Sequence, residues 1–327
     1  MLYWVMVLKP YSSETDHATT ASRMPLPPWL RVAWPRPGAV DRVRDVLADL
    51  SLNTVCRSAQ CPNQGECWSR GTATFMVLGN RCSRNCAFCG VDTGIPDPVE
   101  ADEPGRVAEA ARLLKLRHAV VTSVTRDDLP DGGAAHFAAV IHAIRVRCPQ
   151  VSIEVLTPDF GGNRNAIAMV TGARPDVFAH NVETVPRLHR LLRDPRASYT
   201  RSLEVLRMAR ELLPETCHVK SGLMAGCGET ESEVMDTLAD LYAAGCDAVT
   251  IGQYLKPRGG RAKVTDYVTP EQFARYAKKA RELGFSFVMA GPLVRSSYHA
   301  ETLVHHACEC AVTPAGDNIS LPPADLA

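Results

Sequence analysis

This sequence of 327 residues lacks an excess of charge of either sign, and it lacks a long hydrophobic run. Lys plus Arg and Asp plus Glu both number 36, so no global positive field is present to attract nucleic acid or anionic lipid. The apolar run near the start, Met1 to Leu8, is too short to span a bilayer and follows no basic segment of the secretory kind. We therefore expect a cytoplasmic protein with no nucleic-acid partner and no membrane partner.

Cysteine, in contrast, is abundant, with 12 residues. Without a secretory signal, the reducing cytosol makes disulfides the weaker explanation and favours metal or redox chemistry. The hydrophobic fraction of 46% and the charged fraction of 22% are ordinary for a globular protein. Residues 1–24, which include a polar stretch without helical spacing, are expected to form a disordered leader.

Apolar runs alternate along the chain with segments that have helical spacing. Six β-rich runs predict strands: Ala73 to Leu78, His118 to Val124, Val151 to Leu156, Asp176 to His180, His218 to Met224 and Ala248 to Tyr254. Helices are predicted at Pro104 to Leu116, Ala134 to Val146, Ser198 to Leu213, Glu229 to Ala244 and Pro270 to Leu283, the last leading into Phe285 to Met289. This order predicts an α/β protein of right-handed βαβ units, and periodicity leaves a partial barrel and a doubly wound sheet both open.

The most informative motif follows the first predicted strand, where Cys82, Cys86 and Cys89 form a C-x-x-x-C-x-x-C array. A structural zinc site normally has four protein ligands, and no fourth Cys or His follows at short spacing. A 4Fe-4S cluster held by three thiolates instead leaves one iron open to a small molecule. The array favours such a cluster, and a zinc knuckle completed by a distant residue is the alternative.

This array resembles the signature of the radical S-adenosylmethionine superfamily, in which an aromatic residue occupies the position of Phe88. The resemblance implies that S-adenosyl-L-methionine chelates the open iron and that an electron from the cluster cleaves its sulfonium, which starts radical chemistry. Cys82, Cys86 and Cys89 would then be catalytic residues. The implied fold is a partial (β/α)6 TIM-type barrel with its site at the carboxyl ends of the strands.

A second cysteine array, Cys56, Cys61 and Cys67, precedes the first. Its spacing resembles the auxiliary-cluster motif of lipoyl synthases, whose fourth ligand is a serine from a C-terminal R-x-S-Y sequence. Here the sequence Arg295-Ser296-Ser297-Tyr298 matches that motif, and Ser297 stands at the position of the ligand. The resemblance therefore implies a second 4Fe-4S cluster. Its serine ligand should hold iron less firmly than a thiolate and be released when the cluster gives up sulfur.

Further segments resemble the same family at positions expected to contact S-adenosyl-L-methionine. Thr122 and Ser123 end the second predicted strand, and Asn181 and Glu183 follow the fourth. Lys220 lies in the fifth strand, ahead of glycines that would permit close approach of the backbone to a ligand. The resemblance implies that these five residues, together with Phe88, bind the cofactor.

The resemblance to lipoyl synthases covers roughly residues 25–300. It implies insertion of two sulfur atoms at C6 and C8 of a protein-bound octanoyl-lysine, with the auxiliary cluster as sulfur donor. The implied partners are an octanoylated carrier protein of the lipoyl-domain or glycine-cleavage H type, a low-potential flavodoxin or ferredoxin, and an iron-sulfur cluster carrier. The expected layout is a leader (1–24), an N-terminal extension with the auxiliary cysteines (25–72), the barrel (73–292), and a C-terminal extension with the serine ligand and a mobile tail (293–327).

Two other functions are open on sequence grounds. One is a two-cluster radical enzyme acting on a different acyl group or on RNA, although a methylthiotransferase would normally add a basic RNA-binding module, which the sequence does not show. The other is a zinc-binding protein without catalysis. The segment from Lys256 to Asp266 departs in charge from the usual family sequence, which bears on the choice of acyl substrate or carrier.

The remaining cysteines are not predicted to be cluster ligands. Cys148, Cys217, Cys227 and Cys246 are isolated and are expected to be buried free thiols. A metal clip in the tail would use His305, His306, Cys308 and Cys310, but that segment lacks structural cues, and a mobile tail is favoured.

Overall fold

The computed structural model describes residues 25–32, 38, 40–69 and 73–303. The predicted leader and the His/Cys cluster of the tail lie outside the described residues. Helices in chain order are α1 (Asp41–Asp49), α2 (Val55–Ser58), α3 (Gln64–Ser69), α4 (Glu103–Leu113), α5 (Ala134–Arg147), α6 (Arg164–Gly172), α7 (Pro186–Leu192), α8 (Tyr199–Leu212), α9 (Glu231–Ala243) and α10 (Pro270–Leu283). Strands are β1 (Asn53–Thr54), β2 (Thr74–Val77), β3 (Arg81–Cys82), β4 (Asp92–Thr93), β5 (His118–Ser123), β6 (Ser152–Leu156), β7 (Val177–Ala179), β8 (His218–Ala225), β9 (Ala248–Gln253) and β10 (Phe287–Gly291).

The main sheet has the strand order β1-β2-β5-β6-β7-β8-β9-β10. Strand β1 is antiparallel to β2, and every other neighbouring pair in this sheet is parallel. In the described part of the chain, β2 and β10 are not paired with each other, so the sheet stays open. The predicted partial barrel is confirmed, with β10 as a seventh parallel strand that pairs along its whole length with β9.

The predicted elements form because burial and capping agree with the sequence pattern. All residues of β2 and β9 are buried, as continuous apolar runs in a parallel sheet require. Helix α9 starts with a capping box between Thr230 and Glu233, and α10 starts at Pro270 after the Thr269 cap and ends at Gly284 with φ of 106°. Five helices were not predicted, and each has nine residues or fewer and therefore shows little periodicity: α1, α2, α3, α6 and α7.

The core lies on both faces of the parallel sheet and leaves the carboxyl ends of the strands to loops. Phe75 and Phe178 are fully buried on strands, and Phe137 of α5 meets Phe160 edge to face with 6.1 Å between ring centroids. The parallel register brings Val77 beside Ser123, and Thr122 beside Leu156, at the same edge. The segments after β2, β5, β6 and β7 therefore meet at that edge.

Candidate functional site

The loop after β2 carries Cys82, Cys86 and Cys89 at the carboxyl edge of the sheet. Each of the three sulfur atoms accepts a backbone N–H. Cys82 accepts from Arg84 (3.4 Å) and Thr125 (3.3 Å), Cys86 from Asp194 (3.4 Å), and Cys89 from Val91 (3.4 Å). Such donors orient the sulfur atoms and stabilise their thiolate form, as ligands of an iron-sulfur cluster require.

The three cysteines of this loop are partly buried. Burial raises the pKa of Cys89 to about 12 and also raises the pKa of Cys86. Without a metal, Cys86 and Cys89 are therefore protonated at neutral pH, because a buried thiolate lacks solvation. Binding of iron must therefore release protons from the loop.

Arg84, inside the cysteine loop, clamps that loop to the two strands beyond β2. Its guanidinium is buried and donates to Asp159 after β6 at 2.7 and 2.9 Å, and to Asp127 after β5 at 2.8 Å. Burial alone would raise the pKa of Asp159, but the hydrogen bonds from Arg84 hold it at about 2. The loop between Cys82 and Cys86 is thus fixed by two ionised carboxylates.

A third carboxylate, Asp194, holds the same loop from the segment after α7. It accepts the backbone N–H of Asn85 at 2.8 Å and the Arg196 guanidinium at 2.9 Å. The hydrogen bond from Arg196 keeps the pKa of Asp194 well below its usual range. Asp159, Asp194 and Arg84 were not predicted as site residues. Of the three, only Arg84 has a signal in the sequence, which is its place between two of the cysteines.

The second cysteine array lines one cavity together with the predicted serine. Cys56, Cys61, Cys67 and Ser297 all face this cavity, which Asn63, Gln64, Ala73, Thr74, Arg295 and Tyr298 complete. Burial raises the pKa of Cys67 to about 12. Three thiols from residues 56–67 and one hydroxyl from the chain after β10 converge here, and this donor set fits the auxiliary cluster that the resemblance implies.

Side-chain hydrogen bonds hold the C-terminal segment against the auxiliary cysteines. Thr74 donates to the Ser297 hydroxyl at 2.8 Å, Asn63 donates to the Leu293 carbonyl at 2.7 Å, and the Tyr298 hydroxyl donates to Glu66 at 3.1 Å. These contacts join the edge strand β2 to the chain that follows β10. The auxiliary cavity therefore lies at the opening between the two ends of the parallel sheet.

Four of the predicted cofactor contacts lie at the carboxyl ends of β5 and β7. Ser123 Oγ and Asn181 Oδ1 are buried and have no hydrogen-bond partner among the residues that the structure describes. Buried polar atoms are normally satisfied, so these two fit contacts to a bound ligand. Burial raises the pKa of Glu183, whose φ is 69°. Thr122 instead donates to the Leu156 carbonyl at 2.9 Å.

Lys220 has a different environment from the other predicted contacts. It is 1% exposed, and its ammonium donates to both oxygens of the fully buried Glu154, at 2.8 and 3.0 Å. His118 lies 3.6 Å from the same carboxylate. Lys220 thus has a protein counter-ion in the first half of β8, and its role as a cofactor contact stays a prediction. Phe88 is half-buried and packs against the core.

The segment from Lys256 to Asp266 lies against both cysteine arrays. Arg258 donates its backbone N–H to the Gln60 side chain at 2.9 Å, next to Cys61. Arg261 donates its backbone N–H to the Ala87 carbonyl at 2.7 Å, inside the other array. The backbone of this segment therefore borders both arrays.

The isolated cysteines are free thiols, and the prediction that they are buried is confirmed for three of the four and wrong for Cys148. Cys217, Cys227 and Cys246 are buried, and Cys148 is half-buried. Within the described ranges, no three His, Cys, Asp or Glu side chains are arranged to hold a single metal ion. No helix in the same ranges is both long enough and apolar enough to cross a membrane.

Comparison with known proteins adds two findings on sequence. The family model of the Radical SAM superfamily matches residues 76–241, just over half of the chain. The chain is 55% identical over 275 residues to the lipoyl synthase of Caldanaerobacter subterraneus subsp. tengcongensis, a match that covers 84% of this chain and 95% of that protein. It is 52% identical over 290 residues to the lipoyl synthase of Rubrobacter xylanophilus, covering 89% of this chain and 90% of that one.

Among solved structures, the chain is similar in fold to methylornithine synthase, with a TM-score of 0.50 and 12% identity over 85% of this chain and 98% of that one. HydG, a maturase of the [FeFe]-hydrogenase, has a TM-score of 0.50 and 12% identity, covering 83% of this chain and 79% of HydG. At these identities the likeness concerns the fold alone, and it agrees with the parallel sheet described above.

Proposed function

Because the chain belongs to the lipoyl synthases, sulfur-inserting enzymes of the Radical SAM superfamily, we propose that its two cysteine arrays hold two separate 4Fe-4S clusters with different tasks. The family uses S-adenosyl-L-methionine and 4Fe-4S chemistry. What we propose beyond this is that the chain binds two clusters and that the two cysteine arrays supply their ligands. The observation that carries it is the single cavity lined by three thiols and the hydroxyl of Ser297, apart from the first cysteine loop.

The first cluster site uses Cys82, Cys86 and Cys89. Three thiolates leave one iron for the amino and carboxylate groups of S-adenosyl-L-methionine, and Ser123 and Asn181 offer buried polar atoms for the rest of that ligand. When bound, the cluster and the cofactor supply hydrogen-atom abstraction from an unactivated carbon. The chain's own part is to orient the loop through Arg84 and Asp194 and to exclude water from the thiols.

The auxiliary site uses Cys56, Cys61, Cys67 and Ser297. A hydroxyl is a harder donor than a thiolate, so Ser297 is the ligand expected to leave when sulfur is given up. Thr74 donates a hydrogen bond to the Ser297 oxygen, and that bond competes with iron for the same lone pairs. The N-terminal extension (25–72) and the C-terminal extension (293–327) would form this site outside the barrel (73–292).

The substrate in this proposal is an octanoyl chain on a lysine of a carrier protein, of the lipoyl-domain or glycine-cleavage H type. Residues Lys256 to Asp266 contact both cysteine loops and are the surface expected to meet that carrier. A flavodoxin or ferredoxin would supply the electrons, and a cluster carrier would rebuild the auxiliary site. These partners are those of a cytoplasmic enzyme.

Iron counting tests the proposal. Protein purified and reconstituted without oxygen should hold about eight irons and about eight acid-labile sulfides per chain, because two four-iron clusters are occupied. Replacing Cys56, Cys61 and Cys67 together by alanine should lower both counts to about four. The matched control, Cys148→Ala, removes a thiol outside both arrays and should keep the wild-type count. A count of about four irons in the wild type would contradict the assignment of the auxiliary cluster. Zinc without labile sulfide would contradict the assignment of both clusters.

A further inference from the structure

The segment Val294 to Tyr298 lies against β8 and β9 and continues to the auxiliary cavity. A Cβ atom at Gly252 would lie 2.0 Å from the Val294 carbonyl oxygen, so the segment lies directly on β9. A Cβ atom at Gly222 of β8 would lie 3.0 Å from Asn181 Oδ1 and 3.3 Å from Ser296 Oγ. Glycine at both positions lets the segment approach the barrel closely.

Two adjacent serines of this segment contact two different sites. Ser296 Oγ accepts a hydrogen bond from Asn181 Nδ2 at 2.8 Å, at the end of β7 where the cofactor is expected. Ser297 Oγ accepts from Thr74 at 2.8 Å and faces the auxiliary cysteines. One peptide bond therefore separates a group in contact with the first site from a ligand of the second.

The Asn181 side chain is only half satisfied. Its amide nitrogen donates to Ser296, whereas its buried carbonyl oxygen has no partner among the described residues. A buried acceptor without a donor is unfavourable, and a ligand hydroxyl or amino group that donates to it would remove that cost. Such a ligand would also fix the orientation of the amide and keep its nitrogen directed at Ser296.

We propose that Ser296 is a positioning residue that couples occupancy of the S-adenosyl-L-methionine site to the retention of Ser297 at the auxiliary cluster. The inference rests on the proposed function, because it assumes both sites. A cofactor bound to Asn181 holds Ser296 in place, and Ser296 restrains the neighbouring Ser297. Loss of the cofactor frees the segment and loosens the serine ligand. By linkage, the auxiliary cluster must favour cofactor binding to the same extent.

Resistance of iron to a chelator tests the coupling without any turnover. Protein with both clusters is treated with excess chelator, without reductant, in the presence or absence of S-adenosyl-L-methionine. In wild type the cofactor should slow iron loss at both sites by about fivefold or more, so that about eight irons persist at a time when most are lost without it. In Ser296→Ala the cofactor should protect about four, those of the Cys82 loop, and the other four should leave at the rate seen without cofactor.

Two further variants control this result. Ser296→Thr keeps a hydroxyl and should restore protection of all the iron. Ser286→Ala removes an exposed hydroxyl that donates to the Asp247 carbonyl. Ser286 is far from both arrays in the sequence, so this variant should behave as wild type. Protection of only about four irons in wild type, or of about eight in Ser296→Ala, would overturn the coupling while leaving the two-cluster assignment intact. Failure of the wild type to load both clusters would overturn the proposed function and the coupling with it.

Discussion

Replacing Ser297 by alanine is expected to leave cleavage of S-adenosyl-L-methionine close to the wild-type rate and to lower sulfur insertion about 100-fold or more. The reason is the separation of the two sites. The Ser297 hydroxyl faces the auxiliary cavity and contacts Thr74, whereas the loop of Cys82 to Cys89 is held by Arg84 and Asp194. The assay compares 5′-deoxyadenosine with sulfur-containing product in the same reaction.

The matched control for this variant is again Ser286→Ala, which should keep both activities. An equal fall of 5′-deoxyadenosine and product would show that Ser297 acts on the whole site and is not specific to the auxiliary cluster. Unchanged formation of product would show that the serine is not needed for sulfur transfer. Either result would make the ligand assignment wrong.

Replacing Cys86 by alanine is expected to reduce 5′-deoxyadenosine and product to background and to lower the iron content from about eight to about four. Cys86 is the middle thiol of its array, and its sulfur accepts the backbone N–H of Asp194, in the segment that holds the loop. The two remaining thiols would leave two of the four irons without a protein ligand, so the cluster should be lost. Iron and 5′-deoxyadenosine are measured on the same preparation.

Cys148→Ala is the control for Cys86→Ala, because its half-buried thiol lies outside both arrays. Cys86→Ala protein that still cleaves S-adenosyl-L-methionine would contradict the assignment of the first array. Loss of all iron in Cys86→Ala would also contradict the account, since it would mean that the two arrays do not bind clusters independently.

The strands and most of the longer helices could be predicted from the sequence because their signals are local. Six buried apolar runs became parallel strands, and α10 has the bounds that its Thr269 cap, Pro270 and Gly284 indicate. The short helices α6 and α7 were missed, since one or two turns give too few apolar repeats to distinguish from a loop. The open edge between β2 and β10 depends on pairing across the whole chain, which periodicity does not encode.

The parts of the site that could be predicted are those whose residues have a characteristic spacing along the sequence. The two cysteine triplets are visible as motifs, and the resemblance supplied Ser297, which the structure places in the cavity of Cys56, Cys61 and Cys67. The clamp of Arg84 on Asp159 joins residues 75 positions apart and has no local signal. Lys220 was predicted from the resemblance to contact the cofactor. In the structure its ammonium instead donates to the buried Glu154.

The most direct test of the central claim is the origin of the inserted sulfur. Protein whose clusters are rebuilt with heavy sulfide is freed of excess sulfide and incubated with an octanoylated carrier domain, S-adenosyl-L-methionine and a reductant. The mass of the carrier domain is then measured after a single turnover. We expect a lipoyl group in which both sulfur atoms are heavy. A lipoyl group with light sulfur, or a carrier that still bears only its octanoyl chain, would contradict it.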